Sequence, residues 1–218
     1  MAAPVLQVLG RAGRAFLLEH RGVLTAVDTG GPGSMRRLRR ALRRLGREPG
    51  DVRQIVLTHC HGDHAGEAGA LRELTGAPLI AGADDVGVIE GRDPYPGSKV
   101  AWGRLVYGWL ARFPRTGIDR AVTERTEIEG GLEVIPAPGH TPGHVAVWAP
   151  DHQALLAGDA VWNILGLRPS WGGFTWDTAR NRETIAVLAD LPAQSLWLGH
   201  GSPVRRGGRD RLRAMVGK

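Results

Sequence analysis

The chain has 218 residues, 42% hydrophobic and 23% charged, which is enough for one well-buried core and excludes a disordered or fibrous composition. No apolar run reaches the roughly 18 residues of a membrane span, and the first residues carry neither the basic nor the apolar stretch of a signal peptide, so a cytoplasmic location is expected. Cys60 is the only cysteine, which excludes an intrachain disulfide, and 28 Lys+Arg against 22 Asp+Glu leave a net charge of +6.

Three short β-type runs open the chain at residues 5–9, 15–19 and 23–27, with turn residues between them. A helix is predicted from Ser34, as N-cap, to Leu45, with Gly46 as its stop. Met35, Leu38, Leu42 and Leu45 recur there at helical spacing, so Arg36, Arg37, Arg39, Arg40, Arg43 and Arg44 fall on the opposite, solvated face. Aromatics do not alternate with those charges, so no base-stacking platform is formed and nucleic acid is not expected as a partner. The β-branched run 54–57 reads as a buried strand leading straight into Thr58-His59-Cys60-His61-Gly62-Asp63-His64. A helix over 67–74, ended by Gly76, and a strand over 78–81 follow.

Residues 91–123 interrupt this alternation. Tyr95, Trp102, Tyr107, Trp109 and Phe113 lie there among prolines and glycines, and 100–112 has the pattern of an amphipathic helix. Such an insert suits a cap over a site, a homodimer surface, or a helix burying its aromatics against the body.

In the second half, a strand over 132–135 leads into Pro138-Gly139-His140-Thr141-Pro142-Gly143-His144, and another over 145–148 follows. A strand over 154–157 leads to Gly158-Asp159. A helix over 178–191 precedes a strand over 195–198, which ends at Gly199-His200-Gly201. Four strands thus deliver a His- or Asp-bearing loop at their C-terminal ends, where a sheet flanked by helices places ligand sites. One α/β domain spanning 1–218 is expected, with a small-molecule substrate and no membrane partner.

Three histidines within six positions, interleaved with Gly62 and Asp63, are poorly explained as separate structural residues. At a strand end His59 and His61 alternate and turn both imidazoles to one side, while Asp63 and His64 face a second position. Imidazole and carboxylate together suit zinc, iron or manganese. His140, Asp159 and His200 bring the donors to seven, too many for one ion and suited to two ions sharing a carboxylate.

These motifs resemble those of the metallo-β-lactamase-fold hydrolase superfamily. Residues 58–64 are similar to its Thr-His-x-His-x-Asp-His signature, and Gly139-His140-Thr141-Pro142-Gly143-His144 to the corresponding loop of its glyoxalase II-like branch. Gly158-Asp159 and Gly199-His200-Gly201 follow in the order of the later motifs, and Val27-Asp28-Thr29-Gly30 is similar to the early Asp-Thr-Gly turn. The resemblance runs from about Val5 to His200 and implies a four-layer αββα sandwich with metals at one edge between two sheets. It implies His59, His61 and His140 on one metal, Asp63, His64 and His200 on a second, and Asp159 bridging. The cofactors would be two divalent ions, zinc foremost, with manganese or iron as alternatives. Asp28 and His144 would support the ligands from behind, and Cys60, at a variable position, would have no nucleophilic role. His20 and His152 lie outside every motif and are expected at the surface.

Such a pair of cations would ionise a water near neutral pH for attack on a carbonyl carbon, or less readily on a phosphorus, and would take the part of an oxyanion hole. Asp63 is expected to orient the water and carry a proton to the leaving group. Glyoxalase II proper adds a helical C-terminal region for glutathione, whereas only residues 201–218 follow His200. Class B β-lactamases are exported and lack the bridging aspartate, and the nuclease branches carry extra domains or an RNA-docking arm. A small ester, lactone or thioester remains. Acyl-homoserine lactonases of the superfamily use the same seven donors with a tyrosine, a part open to Tyr95 or Tyr107. The alternative expectation is a mononuclear iron persulfide dioxygenase, from a branch with similar motifs.

Overall fold

Alternate residues of each strand face opposite ways, and in this chain both faces are apolar, so both must be covered. The computed structural model describes residues 5–9, 13–97 and 114–217. Among them, β1 (Val5–Leu9), β2 (Arg14–His20), β3 (Val23–Val27), β4 (Val52–Leu57), β5 (Leu79–Gly82) and β6 (Arg120–Val122) form one sheet in that order. The first three strands are antiparallel, and β3 to β6 run parallel. A second sheet has the order β13 (Ser195–Leu198), β10 (Ala154–Gly158), β9 (Val145–Ala149), β8 (Leu132–Pro136), β7 (Thr126–Ile128), with only the β10–β13 pair parallel. A hairpin of β11 (Val161–Asn163) and β12 (Leu167–Pro169) stands apart.

The two sheets pack face to face. Phe16, Leu18, Val56 and Ile80 of the first meet Val134, Val147, Leu156 and Trp197 of the second in one buried cluster. Their alternate neighbours turn outward: Leu17, Ile55 and Leu57 lie under Leu38 and Leu42 of α1 (Met35–Arg44), Leu71 of α3 (Ala68–Thr75) and Ile89 of α4 (Ala83–Glu90). On the far side Leu155, Leu196 and Leu198 lie under Ile185 and Leu188 of α5 (Thr178–Leu188) and Leu212 of α6 (Gly208–Val216). The result is the four-layer αββα sandwich. The six arginines of α1 are exposed, as its periodicity requires.

Several local expectations are corrected. Ser34 stands at the N-cap of α1 with helical backbone angles and makes no capping bond, whereas Asp177 caps α5 by accepting from the N–H groups of Ala179 and Arg180. Residues 62–65 are a helical turn, α2 (Gly62–Ala65), where a loop is predicted. His20 is 1% exposed instead of lying at the surface, because its Nδ1 donates to Gly130 O at 2.7 Å across the end of the sandwich. His152 is half-buried. The helix predicted over 100–112 lies outside the described residues. No helix among the described residues is long and apolar enough to cross a membrane.

Candidate metal centre

β3 and β4 run parallel in one sheet and β10 and β13 in the other, where β8 shares their direction because it and β10 are both antiparallel to β9, so the loops after these five strands come to one edge of the sandwich. There the structure gathers His59, His61, Asp63, His64, His140, Asp159 and His200. Donor atoms of His59, His61 and His140, of His59, His64 and Asp159, and of Asp63, His64 and His200 lie within 4.8 Å of one another in each group.

The first group is a convergence of ring nitrogens. Nε2 of His59 and Nε2 of His140 lie 2.9 and 3.0 Å from Nδ1 of His61. Hydrogen bonding behind the rings fixes which nitrogens face inward. Thr58 Oγ1–H donates to Asp28, at 2.7 Å from its Oδ2, so Thr58 Oγ1 accepts from His59 Nδ1–H at 3.0 Å. Thr175 Oγ1–H donates to Trp171 O, Ser170 Oγ–H donates to Thr175 Oγ1, and Ser170 Oγ therefore accepts from His140 Nδ1–H at 3.2 Å. Both rings are left with an Nε2 lone pair aimed inward. Burial, and then the neighbouring imidazoles, hold His59 well below the ordinary histidine value. Burial likewise holds His140 well below it and takes His61 down to about 3. Two inward lone pairs converging on His61 Nδ1 at 2.9 and 3.0 Å form a set of three ring nitrogens that a cation fits.

The second group carries charge. His200 Nε2 lies 3.2 Å from Asp63 Oδ2 and 3.1 Å from Asp159 Oδ2, and His64 Nε2 lies 3.4 Å from His200 Nε2. His64 Nδ1–H donates to Asp28 Oδ2 at 2.8 Å, which turns its Nε2 into the site. Burial alone would lower His64 and His200, but Asp159 and Asp63 outweigh it, with Asp28 adding to His64, and raise them to about 9 and about 10. Burial would raise Asp63, yet His64 and His200 bring it down to about 2. Asp159 Oδ1 is buried without a hydrogen-bond partner. A buried carboxylate oxygen left in this way fits a cation better than a purely hydrogen-bonded role.

Supporting residues hold these groups in place. Asp28, at a left-handed φ of 59°, accepts the Thr58 N–H at 2.7 Å and so fastens β3 to the metal loop after β4. His144 Nε2 accepts the Asp159 N–H at 3.0 Å, so this ring orients the aspartate. Asp85, which the sequence reading missed, is fully buried on α4 and accepts from Cys60 N–H at 2.9 Å, Thr141 Oγ1–H at 2.6 Å and Gly143 N–H at 2.8 Å. It ties the two histidine loops together across the sheets, and its only sequence signal is an aspartate just beyond a strand. Gly199 permits close approach, since an added Cβ would meet Asp159 Oδ1 at 2.0 Å and His64 Cε1 at 2.6 Å. Tyr95 stacks on His61 with ring centroids 5.3 Å apart, while Tyr107 lies outside the described residues. Trp162, also missed, walls the opposite side with its ring 5.0 Å from His200 and 6.2 Å from His140.

A family model described as the metallo-beta-lactamase superfamily matches residues 9–203. The chain belongs to that superfamily. A probable metallo-hydrolase of Bacillus subtilis, YflN, is 30% identical over 175 residues, covering 70% of this chain and 66% of that protein. Hydroxyacylglutathione hydrolase of Rhodospirillum rubrum is 32% identical over 155 residues, covering 68% of this chain and 48% of that enzyme, and similarity to it supports the glyoxalase II-like branch. The chain thus spans about half the length of that relative. Among solved structures, the subclass B3 metallo-beta-lactamase BJP-1 of Bradyrhizobium japonicum superposes with a TM-score of 0.72 over 99% of this chain and 87% of that one. At 24% identity that likeness speaks for the fold alone.

Proposed function

We propose that this metal-dependent hydrolase of the metallo-beta-lactamase superfamily binds two divalent cations, zinc foremost, and cleaves a small carboxylic ester, lactone or thioester. The observation that carries the reading is the position of Asp159. Its Oδ2 lies 3.5 Å from His140 Nε2 and 3.1 Å from His200 Nε2, so one carboxylate faces both donor groups. His59, His61 and His140 would hold one cation, Asp63, His64 and His200 the other, with Asp159 between them. When bound, such cations supply Lewis acidity toward a carbonyl oxygen and ionise a water near neutral pH.

The chain's own side chains supply position and dryness. Asp63 is partly exposed at the mouth and stays ionised, with its pKa lowered to about 2, so it accepts a hydrogen bond from the attacking water and orients it. Asp28, Thr58, Ser170 and His144 fix the rings and carboxylates before substrate arrives, so little reorganisation is left for the reaction. Trp162 and Tyr95 flank the cluster and keep water from two sides. The activity for which the hydroxyacylglutathione hydrolase is named supports an acyl ester or thioester as the bond class. The match leaves about half of that enzyme uncovered, so its glutathione moiety is not carried over.

Elemental analysis of the purified protein, paired with a hydrolysis screen over lactones, thioesters, esters and phosphodiesters, tests this. About two zinc or manganese ions per chain are expected, with hydrolysis lost on chelation and restored by either metal. About one iron per chain, oxygen consumption with a persulfide and no hydrolysis would overturn it in favour of a mononuclear dioxygenase.

A further inference from the structure

Large apolar side chains are exposed at few of the described positions, and those are unevenly placed. Of Leu45, Ile164, Leu165, Trp171 and Val187, three belong to the β11–β12 hairpin and the residues just after it. Leu165 is 80% exposed, Trp171 61% and Ile164 59%. Apolar surface gathered in this way on a soluble fold marks a place where something apolar docks. Together with Trp162 and Arg168 these three residues line a cleft of about 160 Å³.

The cleft and the metal centre share a wall. Trp162 lines the cleft while its ring lies 5.0 Å from the His200 ring and 6.2 Å from the His140 ring. The hairpin is also tied to the His200 turn. Asn163 N–H donates to His200 O at 3.1 Å, Ser202 N–H donates to Asn163 O at 3.0 Å, and Asn163 Nδ2 donates to Ser202 O at 2.9 Å. On the hairpin's far strand Arg168 pairs across from Trp162 and donates to Leu165 O, closing the tip. Beyond Trp162, Phe174 lies 5.9 Å away and itself stacks on Trp171 at 6.4 Å, so the aromatic wall is continuous from the cations' ligands to the exposed rim.

We propose that this cleft is the subsite for an apolar chain on the substrate, attached to the carbonyl that is cleaved. The inference rests on the hydrolytic reading above and narrows its substrate class to esters, lactones or thioesters with an aliphatic or aryl acyl group. Size sets the expected length: an apolar cavity of roughly 150 Å³ takes a benzene-sized molecule, so a chain of about six carbons fills it. The apolar rim is not a general surface property, because the helix α1 side of the molecule presents arginines where this side presents leucine, isoleucine and tryptophan.

The test compares 4-nitrophenyl acetate with 4-nitrophenyl hexanoate on the metal-loaded protein, reading the ratio of kcat/KM for the two within each variant. In the wild type the hexanoate is expected to win by at least about tenfold, from a gain of roughly twofold or more per buried methylene. In Ile164→Ser/Leu165→Ser, and separately in Trp171→Ala, the ratio is expected to fall below about threefold. An unchanged ratio in both variants overturns the subsite, as does a wild type with no chain-length preference. A ratio that stays put while the double variant turns a dimer into a monomer overturns it in favour of a self-association surface. If neither ester is hydrolysed, the screen over lactones and thioesters decides the hydrolytic reading, and calorimetry with hexanoate and acetate decides the cleft by itself. Hexanoate binding that weakens about tenfold in the double variant supports the subsite, and equal binding overturns it.

Discussion

The two halves of the metal centre share one cleft and are built on different principles. His59, His61 and His140 stand in the interior, between 1% and 2% exposed, on loops fastened by Thr58, Ser170 and Asp85, and their rings are neutral. Asp63, His64 and His200 stand on a single helical turn and the final strand's glycine turn. Side chains of Asp63 and His200 reach solvent at 11% and 19%, and carboxylates and imidazoles balance one another's charge. On the two-cation proposal the difference implies a division of labour: the neutral triad would retain one cation, and the charged trio would exchange protons, water and substrate at the mouth.

Asp159 belongs to both halves, so its removal is the severest way to break the comparison. Asp159→Ala is expected to lower kcat/KM by about a thousandfold, several kcal/mol of lost charge stabilisation, with the circular dichroism spectrum retained. His61→Ala strikes the triad alone and is expected to remove the more tightly held cation, read as metal content after dialysis. Full activity in either variant sinks the assignment of that half.

The halves should also differ in how pH governs them. His64 and His200, raised to about 9 and about 10, are protonated at neutral pH and must each give up a proton to a cation. Affinity at the trio therefore falls as pH drops from about 9, by up to about a hundredfold per pH unit for two displaced protons. His61, at about 3, and His59 and His140, held well below their ordinary value, have no proton to give at pH 7. Their affinity stays level from pH 8 down to about 6. Calorimetric titration in two buffers of different ionisation enthalpy reads the protons released by each cation. Equal proton release at both steps would erase the distinction.

The sequence made the triad easier to foresee than its supports. Strands β4 and β8 are short apolar runs that end at a histidine loop, so pattern and chemistry pointed to the same places. Asp85 escaped because its partners Cys60, Thr141 and Gly143 lie far along the chain, and only the face-to-face packing of the sheets brings them to it. The strands β6, β7, β11 and β12 are three residues each, too short for a period of two to register. Helix α4 begins after Gly82 with no side-chain cap to announce it, and α2 is one turn long. His20 was misplaced for the same reason as Asp85: its partner is Gly130, on the turn between β7 and β8 of the other sheet.

Those hidden supports give the finer tests. Asp28→Asn keeps a side chain that tolerates the left-handed φ of 59°, yet loses the charge that holds His64 Nδ1–H. With the amide oxygen in the place of Oδ1, it still accepts from Thr58 N–H and Oγ1–H and so keeps the support behind His59. It is therefore expected to weaken the trio's cation by about ten- to a hundredfold while leaving the triad's within about threefold. Ser170→Ala is the smallest change and the converse one. It removes the acceptor behind His140 Nδ1, a neutral bond of 3.2 Å, together with the hydrogen bond to Thr175 Oγ1, so the triad's affinity should fall by no more than about tenfold and the trio's should not move. Competition with a metallochromic chelator on both variants gives each affinity separately. A pattern in which either substitution weakens both cations alike would mean that the halves are mechanically one unit, joined through Asp159, rather than two sites of different construction.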